Sequence, residues 1–487
     1  MRVSLCMIVR NESSHIDACL RSASDLADEV VIVDTGSTDD TKEIALRHGA
    51  RVFDYPWVDD FAAARNEALR HCRGEWVFTL DADDRVVPTS RTRIAKLFSQ
   101  LDDRNAAYLM RVVSPAPDGG PMFEVLHPRV FRNDPRIRWE YRVHEQIAPA
   151  VRRAGGRLVL TDIGIVHVGY KHPADVQAKL ERNLRLIDLN LEQAPVDGFL
   201  LACRAGTLLD MRRGTEALVS LSLCEAAYAG FEVPPDVHLS RSRAHAMDGV
   251  LHEALGSVRQ GLATHPRDTK LQYAEAGVCA AMGDLDEAER VLRGLLLVGG
   301  EHAAYGCADW TIDGFRARHL LSAVLLQKGS YAEAESEARA VTIERPGYGP
   351  AWLTLAEAAL GQGKEDAFGA VRDRCYPSAQ SLVVRSLLDS IQHRVRGDPA
   401  EALSILEALD DNAAAPGVMQ ERVMAMFQGG ARGERLVEAV RALLELEPLN
   451  LRAWAVRRSV AGPRALREER MTWTERAARA VGPLIDL

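Results

Sequence analysis

GEWVFTLDADD, residues 74–84, is a short apolar run that ends abruptly in three carboxylates, Asp81, Asp83 and Asp84. An isolated carboxylate is costly to remove from water, so this cluster requires either solvent or a cation. A solvated turn after a buried strand would explain it. The alternative is a metal site, because Asp81 and Asp83 stand two apart just beyond a strand and can turn toward one point. Two hard oxygen ligands of this kind suit Mg²⁺ or Mn²⁺, and we interpret the cluster as a cation site.

Three apolar runs precede this stretch, and a fourth lies within it. Helix-length patterns separate the four runs. The runs are Val3–Val9, Glu29–Asp34, 51–55 and 75–81, and the helical patterns are 14–22, 38–48 and 59–71. The runs are dense in Val, Ile and Phe, which is typical of strands buried on both faces. Strand–helix alternation predicts a parallel sheet with right-handed crossovers, and ligands bind at the carboxyl ends of such strands. From 106 to about 168 the pattern indicates shorter strands and turns, with a loop at 115–121.

The second part of the chain is helical and repetitive. A glycine followed a few residues later by Ala, usually as Glu-Ala, recurs at Gly214, Gly249, Gly283, Gly329, Gly363, Gly397 and Gly433. The spacing is 34 to 36 residues, except for 46 residues between Gly283 and Gly329. This period, with Gly at the turn and small Ala at the helix crossing, is typical of tetratricopeptide repeats. The long interval predicts an insertion within 296–315.

Charge and cysteine usage limit the class of protein. The formal charge is −9; residues 1–180 hold 25 Lys/Arg and 26 Asp/Glu, so the later residues carry almost all of the excess. That balance argues against nucleic acid as a partner. The eight cysteines form no CxxC pair and no zinc-type cluster, which favours a reducing compartment. With no apolar stretch long enough for a signal peptide or a membrane span, we expect a cytoplasmic protein.

The combination of motifs resembles one enzyme family. "CMIVRNES", "VIVDTGSTDDT" and "FAAARNEALRHCRGEWVFTLDADD" look like the opening of family 2 glycosyltransferases of the α/β GT-A fold, in order and spacing over about residues 1–90. The later "RVHEQI", "IVHVGY" and repeats resemble bacterial glycosyltransferases fused to tetratricopeptide repeats, a group that includes sublancin-type peptide S-glycosyltransferases. We therefore predict a nucleotide-sugar-binding catalytic domain at 1–175, a helical linker at 176–200, repeats at 201–460 and a helical tail at 461–487.

The resemblance also implies roles for individual residues. It implies that the nucleotide-sugar donor, which we expect to be UDP-linked, contacts Val9, Arg10, Asn11, Glu12, Asp34, Arg65, Asp81 and Ala82. It implies that Asp81, Asp83 and His167 hold Mn²⁺ or Mg²⁺, although His167 could equally be a packed strand histidine. Many relatives have a second acid after the position of Asp34, where this chain has Thr35, and that departure weakens the prediction of uridine specificity.

Family 2 enzymes usually invert the anomeric centre, so a base must accept the acceptor's proton. Our first candidate is Glu145 and the second is His144; if this stretch is a strand, their side chains point to opposite faces. An ion pair between Glu145 and a nearby arginine, such as Arg138 or Arg142, is an equally good explanation. Arginines within 129–142 are also candidates for holding the diphosphate.

Several functions are compatible with these features. The leading hypothesis is an inverting, metal-dependent glycosyltransferase acting on a peptide Cys, Ser or Thr, or on another small soluble acceptor, held by the repeats. A cell-envelope glycan or a secondary metabolite is the alternative acceptor. A nucleotidyltransferase should show a Gly-rich loop after the first strand, where this chain has "RNESS". A repeat scaffold with a degenerate nucleotide-binding domain would be non-catalytic. Homodimerisation through the repeats competes with acceptor binding as their role.

Overall fold

The computed structural model describes residues 2–115, 121–169, 173–298, 307–308, 312–374, 381–409 and 414–460. The chain divides into two compact units, one formed by 1–207 with 303–309 and the other by 208–302 with 310–487. The predicted tail at 461–487, most of the predicted loop at 115–121 and part of the predicted insertion at 296–315 lie outside the described residues. The predicted domain boundaries stay predictions.

The first unit is a nine-stranded sheet with helices. Its strands are β1 (Val3–Val9), β2 (Glu29–Asp34), β3 (Arg51–Asp54), β4 (Trp76–Thr79), β5 (Asp84–Arg85), β6 (Ala106–Pro115), β7 (Pro121–Arg132), β8 (Arg157–His167) and β9 (Cys307–Ala308). Its helices are α1 (Ile16–Ser22), α2 (Thr41–Arg47), α3 (Phe61–His71), α4 (Pro88–Ser99), α5 (Ala148–Arg153), α6 (Pro173–Leu191) and most of α7 (Gly198–Asp210).

The strand order is β3-β2-β1-β4-β7-β6-β8-β5, with β9 also paired to β7. The four strands predicted from the apolar runs are confirmed and pair in parallel. The later strands make the sheet mixed, because β7 is antiparallel to β4, β6 and β9. The expectation of shorter strands after residue 106 is wrong, since β6, β7 and β8 are 10 to 12 residues long. Polar residues within these strands, such as Arg111, Glu124 and Asp162, interrupt the apolar runs and so hid that length.

Alternate residues of the central strands pack on opposite faces of the sheet. Leu5 and Met7 of β1 contact a core formed with α1 and α4, whereas Cys6 faces a second core formed with α3 and α5. Burial on both faces explains why these strands are apolar runs rather than alternating patterns. In β1, β2 and β4 the polar residues therefore lie near the strand ends, where the candidate site is found.

The second unit is built from helix pairs. They are α8 (Gly214–Ala227), α9 (Pro235–Met247), α10 (Leu251–Thr264), α11 (Thr269–Met282), α12 (Leu285–Val298), α13 (Ala317–Gln327), α14 (Tyr331–Glu344), α15 (Gly349–Gly361), α16 (Glu365–Arg374), α17 (Ser381–Val395), α18 (Pro399–Glu407), α19 (Pro416–Gln428), α20 (Glu434–Leu446) and α21 (451–460). From α9 to α17, each odd-numbered helix packs on the next helix and on the following odd-numbered helix, and α19 packs on α20. The repeat prediction is confirmed.

The predicted turn glycines have a common backbone role. Gly249, Gly283, Gly329, Gly363 and Gly397 all follow the first helix of a pair with φ between +71° and +90°. In each case the next residue donates a backbone hydrogen bond to the carbonyl five residues back, as Ser330 does to Leu325 at 2.9 Å. This geometry closes the helix end and favours glycine because it has no Cβ. Gly214 is displaced from this pattern, and Arg212 takes the left-handed conformation there instead.

The last described helix of the second unit, α21, packs far back along the array. Trp454 lies in one apolar cluster with Leu251 and Val278, and Arg452 donates to Glu357 of α15 at 2.6 Å. α21 therefore covers part of the surface that α10, α11 and α15 would otherwise expose. No described helix is long and apolar enough to cross a membrane.

Candidate functional site

The candidate site is assembled at the carboxyl ends of β1, β2 and β4. Their parallel register places Val9 opposite Asp34, and β4 ends at Thr79 just before the acidic cluster. Because parallel strands finish at one edge of a sheet, the three loops that follow them converge there. This edge therefore holds the predicted residues of all three motifs.

The loop after β1 is fixed against the loop after β2. Asn11, with φ +54°, accepts a hydrogen bond from the Thr38 N–H at 2.8 Å and donates its own N–H to Ser37 Oγ at 2.9 Å. The Glu12 N–H donates to Thr41 Oγ1 at 2.7 Å. These bonds hold the Glu12 side chain at the site edge rather than leaving the loop free.

Asp34 is buried and only half satisfied. Its Oδ1 accepts the N–H groups of Gly36 and Ser37 at 2.9 and 2.8 Å, whereas Oδ2 has no hydrogen-bond partner within the described part of the chain. A buried acceptor without a donor is costly, so Oδ2 is suited to receive one from a ligand. Thr35 bonds the Val9 carbonyl through both N–H and Oγ1, at 2.9 and 3.1 Å, and so has a structural role.

Two arginines hold Asp81. Its Oδ1 accepts Arg65 Nη2 at 2.8 Å, and its Oδ2 accepts Arg129 Nη2 at 3.2 Å. Burial alone would raise the pKa of Asp81, but the charges of Arg65 and Arg129 outweigh it and lower that pKa. Arg65 also donates Nε to Glu145 at 2.6 Å and lies over the ring of Trp139 at 5.0 Å. Asp81 is thus a fixed anion within a network rather than an open carboxylate.

Asp83, Asp84 and His167 form a second group, whose ligand atoms lie within 4.8 Å of one another. Strand β5 pairs with β8 so that Asp84 stands directly opposite His167, and Asp84 Oδ1 lies 3.0 Å from His167 Nδ1. Asp83 Oδ1 lies 3.4 Å from the same nitrogen. The hydrogen bond that Asp84 accepts from the imidazole is the main reason that the pKa of His167 is raised.

Negative charge accumulates around Glu12. Burial, followed by the charges of Asp83 and Asp81, raises the pKa of Glu12 to about 7. The pKa of Asp83 is also raised, again chiefly by burial, with contributions from Asp81 and Asp84. Each of these carboxyl groups makes ionisation of the others less favourable, and a divalent cation would relieve that repulsion. Carboxylate oxygens beside an imidazole are a donor set that fits such a cation. The residues therefore fit the metal that the sequence predicts.

The remaining predicted donor-site residues differ in exposure. Arg10 is exposed, Val9 and Ala82 are buried, and the Ala82 carbonyl accepts Arg85 Nη1 at 3.1 Å. Val9 and Ala82 can therefore border a ligand only through their backbone or a small apolar surface.

The predicted base residues do not lie in a strand. Residues 141–144 form bends, and Gln146 makes one isolated bridge to Glu140, so the condition under which the two side chains would point to opposite faces is not met. His144 has φ +55° and is exposed. Glu145 is ion-paired, but its partner is Arg65 of α3 rather than Arg138 or Arg142. Of the two candidates, only Glu145 joins the network of Asp81.

Sequence reasoning assigned no role to His127, and it foresaw neither the pairing of Arg129 with Asp84 nor the contact of Asp84 with His167. Arg129 is a charge inside the apolar run of β7, and its side chain pairs with Asp84 at 2.9 Å. A buried arginine needs an anion, so its place in a strand was a usable signal. His127 lies on the same strand two residues earlier; burial, then the charge of Arg129, lowers its pKa to about 4. Its imidazole is therefore neutral near pH 7.

The first unit is thus an α/β domain with acidic side chains at the carboxyl ends of its parallel strands. Residues 4–151 match the family described as Glycosyl transferase family 2.

Three relatives illustrate the similarity. A TPR repeat-containing protein of Synechococcus elongatus is 33% identical over 215 residues, 43% of this chain and 52% of the relative. The SPbeta prophage-derived glycosyltransferase SunS of Bacillus subtilis is 28% identical over 201 residues, 39% of this chain and 45% of the relative. An uncharacterized glycosyltransferase of Rickettsia prowazekii is 34% identical over 113 residues, 23% of this chain and 38% of the relative. The chain thus spans about half the length, or less, of these curated relatives.

Proposed function

We propose that this protein is an inverting, metal-dependent glycosyltransferase that uses a UDP-linked sugar as donor. The observation that carries the proposal is the accumulation of carboxyl groups around Glu12 and Asp83, beside His167, at the carboxyl ends of parallel strands. Water alone would not favour such a concentration of like charge in a partly buried place, whereas a cation with a diphosphate would. The match of residues 4–151 to the Glycosyl transferase family 2 model supports this interpretation.

Each group has a distinct part in this proposal. Asp34 Oδ2 would accept a hydrogen bond from the nucleoside, since it is a buried acceptor in need of a donor. Asp83 and His167 would hold Mn²⁺ or Mg²⁺, which supplies Lewis-acid stabilisation of a departing diphosphate. Arg65 and Arg129 hold Asp81 ionised and fixed in place.

Glu145 is the proposed base. Its Oε1 is anchored by Arg65, which orients the carboxylate toward the same network as Asp81. A positioned carboxylate can accept the proton of an attacking hydroxyl, and a thiol acceptor would need less assistance because it is partly ionised near neutral pH.

For the acceptor we propose a peptide Cys, Ser or Thr side chain, on the strength of the resemblance to sublancin-type enzymes. A small molecule or an envelope glycan is the alternative. α21 covers part of the surface of α10, α11 and α15. If the repeats hold the acceptor, the acceptor must therefore bind to a surface that α21 leaves exposed.

Thermal shift measurements test the donor site. We expect UDP with Mn²⁺ to raise the melting temperature of the wild type more than ADP, GDP or CDP does, because ligand binding to the native state stabilises it. Asp83→Ala should lose the metal-dependent part of the shift, and Asp34→Asn should lose the preference for UDP. Asp103→Asn is the matched control, because Asp103 is an acid of the same unit that pairs with Arg157 at its surface.

A wild type that responds to no nucleotide, with or without metal, would overturn the proposal and favour the non-catalytic scaffold. Retention of the full Mn²⁺-dependent shift by Asp83→Ala would remove Asp83 from the metal site.

A further inference from the structure

We propose that Asp84 is a positioning residue, which fixes the tautomer and orientation of His167 so that Nε2 is left to face a divalent cation. Asp83, not Asp84, then supplies the carboxylate ligand. This inference rests on the proposed metal-dependent function, but its main premise concerns the metal-free protein.

Burial separates the two carboxylates. The Asp84 side chain is 0% exposed, whereas the side chains of Asp83 and His167 are 15% and 29% exposed. A diphosphate-bound cation must be reachable from solvent, so Asp83 and His167 can approach it and Asp84 cannot without moving.

Both oxygens of Asp84 are also engaged. Oδ2 accepts the Asp81 N–H and Arg129 Nη2, each at 2.9 Å. Oδ1 lies 3.0 Å from His167 Nδ1, closer than Asp83 Oδ1 at 3.4 Å. An ionised carboxylate only accepts hydrogen bonds, so the proton of the neutral imidazole belongs on Nδ1 and the lone pair on Nε2.

The backbone fixes this pair. Asp84 and His167 are directly opposite in the antiparallel pairing of β5 and β8, and the Val168 N–H donates to the Asp83 carbonyl at 3.0 Å. Gly169 follows with φ +53°, and a Cβ there would lie 3.6 Å from His167 Nε2. That distance is ordinary van der Waals contact, so the positive φ rather than lack of space favours glycine at this position. A carboxylate behind a histidine ligand sets its tautomer, and losing such a partner weakens metal binding by about 10–100-fold.

Two measurements on the full-length protein test the proposal. Histidine side-chain ¹⁵N spectra of the metal-free wild type, recorded on the alkaline side of the His167 titration, should show His167 as the Nδ1–H tautomer, with the resonance assigned by its loss in His167→Gln. Mn²⁺ titration followed by electron paramagnetic resonance should then show binding weakened by about 10–100-fold in Asp84→Asn and weakened further in Asp83→Asn. Asp103→Asn is the control and should bind as the wild type does.

An Nε2–H tautomer for His167 in the wild type would overturn the proposal, and this measurement needs no variant to fold. Equal loss of Mn²⁺ binding in Asp84→Asn and Asp83→Asn, with the tautomer unchanged in Asp84→Asn, would also overturn it by making Asp84 a ligand. If the wild type binds no Mn²⁺, the proposed metal dependence fails, whereas the tautomer still decides whether Asp84 positions His167.

Discussion

The charge of Glu12 depends on the neighbouring carboxyl groups of the candidate site. Its pKa is raised to about 7 by burial and by Asp83 and Asp81, so the folded state binds its proton more tightly than the unfolded state does. The stabilisation from that proton is complete below the ordinary glutamate pKa and is lost as the pH rises through about 7.

Glu12→Gln removes this pH dependence. In metal-free buffer we expect the variant and the wild type to melt alike at pH 4 and the variant to melt about 2–4 °C higher at pH 8, allowing for solvent screening. Glu43→Gln, at an exposed position of α2, is the control and should show no such trend. A difference of equal size at both pH values would mean that the effect does not come from ionisation.

Arg129 is the counter-charge of the buried acids. Arg129→Met leaves Asp84 without its cation in a place that solvent does not reach, and we expect a loss of about 3–5 kcal/mol in the free energy of unfolding of the first unit. Urea denaturation measures it. Arg136→Ala, which breaks the exposed pair with Asp134, should cost less than about 1 kcal/mol. Similar costs for the two variants would show that Asp84 is not held by charge.

At the scale of helices, replacing a turn glycine by alanine and replacing a helix-interior glycine by alanine should change stability in opposite directions. Gly329 has φ +79° with nothing near its missing Cβ, whereas Gly294 lies inside α12 with equally open surroundings. We expect Gly329→Ala to destabilise the repeats by about 1 kcal/mol and Gly294→Ala to stabilise them by a similar amount. Thermal unfolding followed by circular dichroism checks both. The same sign for both variants would contradict the left-handed role of Gly329.

A buried ion pair joins α17 to α19. Arg394, with its side chain 1% exposed, donates Nε to Glu421 at 2.6 Å and also contacts Glu357 at 3.1 Å. We expect Arg394→Leu to cost about 3–5 kcal/mol, because Glu421 is left buried without its counter-charge, and the double variant with Glu421→Leu to recover much of that loss. The exposed pair of Arg396 with Glu365 supplies the control, for which Arg396→Ala should cost less than about 1 kcal/mol.

Chemical denaturation of the four proteins measures these costs. A double variant as unstable as Arg394→Leu alone would show that the pair contributes through packing rather than through charge.

At the scale of the whole molecule, two tryptophans in equivalent repeat positions have different surroundings. Trp352 and Trp454 each donate Nε1 to the carbonyl of a proline six residues earlier, Pro346 and Pro448. Trp454 is 4% exposed because α21 packs on helices near the start of the array, whereas Trp352 is only partly buried.

Trp454→Ala should therefore cost about 3–5 kcal/mol and Trp352→Ala about half as much, although both lose the same local hydrogen bond. Urea unfolding monitored by circular dichroism makes the comparison. Equal costs would mean that the long-range packing of α21 adds nothing to stability.

The sequence by itself determined the features that depend on local pattern. Apolar runs and helical periods predicted β1, β2, β3 and β4, and the glycine period predicted the helix pairs, because neighbouring residues specify those elements. The sequence also predicted that Asp34, Asp81 and Asp83 lie at one edge of the sheet, because each follows or ends a strand and parallel strands end at the same edge.

Only the tertiary structure decided which charges meet. Arg129 approaches Asp84 from β7, His167 approaches from β8, and residues 307–308 return to the sheet from the interval between helix pairs. The packing of α21 against helices near the start of the array is also a contact between residues that are distant in the sequence. These contacts join positions tens to hundreds of residues apart, and they are selected by burial and charge pairing across the fold rather than by any periodicity along the chain.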